Sequence, residues 1–447
     1  MIFIKTIQKP LLWLFVMLLT QTCVPVEQQG RSQSGSGTNE YYADRTLHFT
    51  DHIYDERIKS VEFYPATGQP QELLTPPIIP ITQDVPLVLE FDQILTEQER
   101  FTVKLVHCDA NWTQSSITDM QFLYDYNEFY ITDVAISVNT QVPYHHYRFK
   151  VPRVKLSGNY LVVVMNQGGS YALTRRMVVY EKAVAVNARY ALPTGVQERY
   201  TNHQIDFDII YGRYKLINPW QEVKVVLRQN HRWDNAIVNL RPTFVNEQQG
   251  RLEYQFFNFE NNFKAHNEYR VFDTRSLRYT GIGVAKIDRS VSPFEVLLQV
   301  DKNRSGQVYS HEPDANGKRF FDNREFGSGD LDADYAWVTF QLQAAEEAPG
   351  PVYVFGALSD FQLKNDFRLQ YNAELGLYTG RALLKQGYYN YLYAVKPASA
   401  AVANLQYFEG SYQQTENIYD LLVYYRPPGT RTDLVIGYEE LFVNSIR

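Results

Sequence analysis

FTVKLVHCDANWTQSS, residues Phe101 to Ser116, alternates apolar and polar side chains through its first half and then breaks into Asp, Asn, Trp and Ser. Alternation with period two is the pattern of a half-buried β-strand, because successive side chains point to opposite faces. On such a strand His107 and Asp109 face one way and Cys108 the other, so the three cannot grip one ion. A zinc site needs three or four ligands converging at about 2 Å, and no ligand-spaced Cys or His motif elsewhere offers them. The run therefore predicts the end of a buried strand. Cys108 serves as a small apolar filler there, and Asp109, Asn111 and Trp112 shape the turn.

The same rhythm continues along the chain. SVEFYP, VPLVLEF, YHHYRFKVP, NYLVVVM and RRMVVYEKAV predict strands of a first β-sandwich over residues 45–182. QIDFDIIY, EVKVVLRQ, RLEYQFFNF, NEYRVFDTRS and FEVLLQVD predict a second over 183–305. A connector at 306–332, rich in Gly, Asn, Asp and charge, leads to a third over 333–447, which includes DYAWVTFQL, YYNYLYAV, NIYDLLVYYR and DLVIGYEE. No segment carries a sustained helical stripe. The expected fold is all-β, with three consecutive immunoglobulin-like or early-set-like sandwiches, and 34 Tyr with 26 Phe suit such pleated, half-buried surfaces.

The net charge of −7 comes from interspersed signs, and with no basic stripe to neutralise phosphates nucleic-acid binding is set aside. Residues 1–23 carry Lys5 and Lys9 ahead of an uncharged core, the pattern of an export signal too short to span a bilayer as mature structure. Thr20-Gln21-Thr22-Cys23 loosely matches a lipoprotein cleavage box, although small residues usually precede its cysteine. Lipidation at Cys23 and ordinary cleavage nearby both stay open. Residues 24–44, polar and rich in Ser and Gly, read as a flexible tether. With Cys23 removed or acylated, Cys108 has no intramolecular partner and is expected to be buried.

Catalytic signals are weak. His145 and His146 diverge as strand neighbours and are expected at solvent or edge positions, and the sequence holds no G-x-S-x-G elbow. RQNHRWDNA, Arg228 to Ala236, either presents a polar grip or packs Trp233 under a turn while Arg232 and Asp234 pair at the surface. No catalytic residue, metal ligand or cofactor is assigned. Val352 to Val395 resembles early-set immunoglobulin-like domains that also occur as glycogen-binding modules, but it lacks the tryptophan platforms that sugar binding typically uses.

HCDANW (107–112), ISVNTQVPYHHYRFKVP (136–152), LSGNYLVVV (156–164), RQNHRWDNA (228–236), NEYRVFD (267–273) and KQGYYNYLY (385–393) together resemble the type IX secretion system plug proteins. The likeness runs in order from about Lys59 past Tyr393. It implies a periplasmic protein of β-sandwich domains, monomeric on its own, that docks at the inner mouth of a large outer-membrane translocon barrel and keeps it sealed until cargo engages. The resemblance implies no enzyme and no cofactor, and it leaves contact with a membrane only to a lipid at Cys23. Phe320, Phe321 and Phe326 of the connector are candidates for gripping the barrel, against the alternative that they pack back on the domain cores. Two other functions stay open: a carbohydrate-binding envelope lipoprotein, and a glycosidase, which needs two carboxylates roughly 5–9 Å apart in a cleft. Asp206 and Asp208 are a pair to inspect for the latter.

Overall fold

The strand Phe101–Cys108 forms where its alternation predicts and pairs with Gly158–Asn166 on one side and Phe129–Tyr130 on the other. Tyr171–Tyr180 and His52–Ile53 extend this sheet, and Ile78–Pro80 adds to it in parallel. A second sheet, ordered Ile58–Pro65, Leu87–Gln93, His145–Lys150, Asp133–Ile136, closes the first sandwich. Phe91, Phe101 and Tyr147 sit in the core between the two sheets, Phe91 and Tyr147 stacking with ring centres 5.0 Å apart. The computed structural model describes residues 40–445 except 70, 83, 328 and 401, so Cys23, the 1–23 segment and most of the 24–44 segment lie outside the described residues.

In Gly158–Asn166 the first seven residues are buried on both faces. Tyr160, Val162 and Val164 point into the first sandwich, whereas Leu161 and Val163 join a separate apolar cluster with Val226, Leu422, Tyr424 and Val435. Those four residues lie on a sheet ordered Ile237–Val238, Val223–Gln229, Asn417–Tyr425, Leu434–Val443. Its other face packs Val225, Leu227, Leu421 and Val423 against a sheet built on Ala185–Ala191, Asn202–Ile210 and Arg251–Tyr254. Two sandwiches thus stack into four layers, and both middle sheets are apolar on both sides.

The strands expected to end the third sandwich, NIYDLLVYYR and DLVIGYEE, therefore complete the second. Conversely, Arg270–Asp273 and Glu295–Asp301, expected in the second, pair with Gly387–Val395 and Tyr335–Gln343 of the third. Arg319–Phe321, from the expected connector, also adds to Gly387–Val395. The third module is thus inserted into the second, between Asn262–Lys264 and Asn417–Tyr425. Its nine strands form one continuous sheet that curls around its own core. The physical reason for the difference is that alternation shows a strand has a face to bury. Ladder hydrogen bonds are made by backbone common to all residues, so the partner is not encoded locally.

Charge ties the start of the inserted module to its end. Glu409, fully buried, takes Arg270 at 3.0 Å and Arg304 at 2.7 Å. Burial alone would raise its pKa, but the two guanidiniums hold it below the usual value. Deleting residues 413–447 should leave Val223–Gln229 without its Asn417–Tyr425 partner. The expected result is loss of the cooperative thermal transition and of hydrogen-exchange protection in Val223–Gln229. A truncated chain that melted like the full one would show that the second sandwich closes without its last two strands.

Candidate functional site

The turn after Phe101–Cys108 is a clasp between modules. Asp109 accepts hydrogen bonds from the Thr432 hydroxyl and the Asp433 backbone N–H, both at 3.0 Å, and pairs with Arg426 at 2.8 Å. Asp433 returns the contact by accepting from the Ala110 N–H at 3.1 Å while pairing with Lys224 and Arg426. His107 lies 3.0 Å from Ser115 Oγ and edge-on to Tyr160, on the side of the first core. A Cβ on the facing Gly158 would sit 2.3 Å from His107 Nε2, which explains the glycine in LSGNY. Cys108 faces the other way, as its strand position predicts, into the apolar junction with the second sandwich. Burial pushes its thiol up to about 12.

RQNHRWDNA continues this junction. Trp233 meets Trp112 edge-on at 5.0 Å, and Arg176 lies over both rings, 4.5 Å from Trp112 and 5.2 Å from Trp233. Arg228 covers Trp233 at 4.1 Å and pairs with the buried Asp420 on the adjacent strand. Arg232 does pair with Asp234, at 2.6 Å, but its side chain is buried and not at the surface. The segment joins modules together. Cation–π contacts of this kind contribute roughly 0.5–2 kcal/mol each.

The first and third modules meet around Asp92. Lys385 reaches it at 2.7 Å with both side chains buried, and the Tyr335 hydroxyl donates to the same carboxylate at 2.8 Å. His146 Nδ1 contacts the other oxygen at 2.7 Å, while His145 turns to the Leu95 carbonyl, so the histidines diverge as expected, but both are largely buried on an inner strand and not at solvent or edge positions. Glu90, His146 and the exposed Asp330 bring potential ligand atoms within 4.8 Å of one another. Arg148 pairs with Glu90, however, and Asp92 takes His146, so these groups form a charge quartet across two strands.

Of the three connector phenylalanines, Phe321 is buried in the third core, and Phe320 is half-buried, stacking on Tyr388 at 5.4 Å. Phe326 is exposed, with Arg278 over its ring at 5.9 Å. Asp206 and Asp208 are both taken by Arg189, and Asp208 also by Arg251 at 2.9 Å, which places them in an ion-pair network on one sheet. A larger exposed set escaped sequence reasoning. Met120, Tyr124, Tyr126, Tyr130, Ile136 and Val138 are all exposed on one continuous segment. Its signal was a run of tyrosines among turn residues. The segment spans Phe129–Tyr130 and Asp133–Ile136, the edge strands of the two sheets of the first sandwich. Its end touches the Phe326 loop through the Val138 N–H, which donates to the Leu331 carbonyl at 2.9 Å.

Two cavities lie between modules. One of about 470 Å³ separates the first and third and is bordered by Lys59, Ser60, Tyr335 and Trp337. The other, about 590 Å³, lies where all three meet and is bordered by Thr75, Arg176, Trp233 and Lys318.

The profile described as type 9 secretion system plug protein, first domain, matches residues 58–181, which hold the clasp turn, the charge quartet and the aromatic edge. The chain belongs to the type IX secretion plug family. A crystal structure of a hypothetical protein from Parabacteroides merdae ATCC 43184 is similar over 89% of this chain and 100% of that one, with 30% identity and a TM-score of 0.83. No curated protein matches. Family membership ties the chain to type IX secretion and to the cell envelope. Among the described residues no helix is long and apolar enough to cross a membrane.

Two measurements check these contacts. Lys385→Met strands the buried Asp92 carboxylate and should cost about 3–5 kcal/mol in urea unfolding. Cys108 should resist an aromatic disulfide reagent at pH 8 in the native protein and react once the chain is unfolded, since the thiolate is the nucleophile.

Proposed function

We propose that this chain is a non-enzymatic stopper that binds the periplasmic opening of the type IX outer-membrane translocon barrel and seals it when no cargo is engaged. Family membership supplies the pathway, and the architecture suits the task. A stopper must hold its contour against a wide opening. The described chain is one compact unit whose modules are joined by a shared apolar cluster and by buried pairs such as Asp92 with Lys385.

The observation that carries the reading is the aromatic edge from Met120 to Val138. Edge strands offer unpaired backbone groups, and exposed Tyr side chains give large rigid contact area at low entropic cost. Monomeric proteins seldom leave so many large apolar side chains on one segment without a partner. With the adjoining Phe326 loop, this edge is the face that would meet the barrel, over the roughly 1,000 Å² that a stable contact needs. Sealing then comes from shape and buried area, and the reading places the protein in the periplasm at the inner face of the outer membrane.

The test combines Tyr126→Asp, Tyr130→Asp and Ile136→Asp. Because all three side chains are exposed, the thermal midpoint should hardly move, while barrel recovered by affinity purification from detergent-solubilised outer membrane should fall at least about tenfold. Cells carrying the triple variant should admit large antibiotics through cargo-free channels. Undiminished recovery would move the docking face elsewhere, and an envelope equally tight after deletion of the whole gene would end the stopper reading.

A further inference from the structure

The cavity at the meeting point of the three modules has a composition that the stopper role does not require. It is about 590 Å³, within the range of small-molecule sites. Six Lys or Arg side chains border it against four carboxylates, and one of the four, Glu62, is pushed up to about 8 by burial. Three of the cations are Arg176 from the first module and Lys318 and Arg319 from the third.

Among the described residues the side chains of these three donate only to neutral acceptors, although the Arg176 backbone N–H donates to Asp51 at 2.7 Å. Arg176 donates to the Phe49 carbonyl, Lys318 to the Leu74 carbonyl, and Arg319 to the carbonyls of Ala357 and Val61. Among the described residues none of the three is in an ion pair, in contrast to Arg175, Arg228 and Arg232 beside them, which take Asp360, Asp420 and Asp234. Carboxylates act on the three only at longer range: Asp51 on Arg176, Asp420 and Glu440 on Lys318, Glu62 and Asp360 on Arg319. Arg176 is further held over two indole rings. Leu74, Pro76 and Pro77 line part of the wall and lower the local dielectric, which strengthens any charge interaction inside. Partly desolvated cations gathered on one cavity, with carboxylates only at longer range, are costly unless an anion completes them.

We infer that the three-module cavity binds a small polyanion bearing phosphate or carboxylate groups, held by Arg176, Lys318 and Arg319. Such a ligand bridges the first and third modules and stabilises their packing by mass action. The inference is independent of the stopper reading, since binding at this cavity needs no barrel.

The experiment uses the purified full protein with tripolyphosphate and citrate as probes, followed by calorimetry and thermal melting, with sodium chloride at matched ionic strength as the control. Saturable binding of either probe, with a rise in melting temperature that the chloride control lacks, is expected. Arg176→Gln with Lys318→Gln should weaken it at least about tenfold, while Arg153→Gln with Lys155→Gln, neither of which borders the cavity, should leave it unchanged. Lys318, whose amine burial pulls down to about 8, provides a readout that needs no variant: saturating probe should protect it from reductive methylation. The inference is overturned if neither probe saturates, if the double variant binds as the parent does, or if Lys318 is labelled at the same rate with and without probe.

Discussion

A sheet that is apolar on both faces must be covered on both, and this condition organises the molecule. In the sheet built on Phe101–Cys108, Gly158–Asn166 and Tyr171–Tyr180, one face fills the first sandwich, while Leu161, Val163, Val178 and Cys108 on the other require a second cover. Leaving a Leu or Val side chain exposed forgoes about 1.5–3 kcal/mol each. The cover is the outer face of Val223–Gln229 and Asn417–Tyr425, and those strands lie far apart in the chain because the third module is inserted between them. The first module is therefore anchored to both sides of the insertion at once.

Apolar burial alone would let these layers slide, and the polar contacts at the seams remove that freedom. The Asp109 and Asp433 clasp and the Asp92 and Lys385 pair each hold one seam in one register, and the Glu409 bridge ties the start of the inserted module to its end. Burying charge is expensive, and such pairs add little net stability over well-packed apolar residues. Breaking one is severe, however, so they penalise any other arrangement of the modules. Rigidity of this kind suits a body whose work is done by its outline.

The surfaces divide accordingly. The clasp turn and RQNHRWDNA look like reactive clusters in one dimension, but their charges and rings are spent on joining modules. The Met120 to Val138 edge and the basic cavity, the two surfaces proposed above for partners, do not resemble a motif. Aromatic side chains on an edge act through area, and cations from separate modules form a site only once those modules have met.

The amino-acid sequence by itself determined the all-β class and most of the strands, because period-two alternation directly reports a side chain's choice between two faces. It also determined that Cys108 is buried and that His145 and His146 diverge, both consequences of strand geometry. Order along the chain suggested three sandwiches in succession and left open whether the three connector phenylalanines face a partner or pack back on the cores. The tertiary structure decided both, sending Asn417–Tyr425 back to Val223–Gln229, putting Phe321 in a core and leaving Phe326 outside. Backbone ladders carry no address, so which strand completes which sheet is settled only by the apolar faces and buried charges that all three modules must satisfy together.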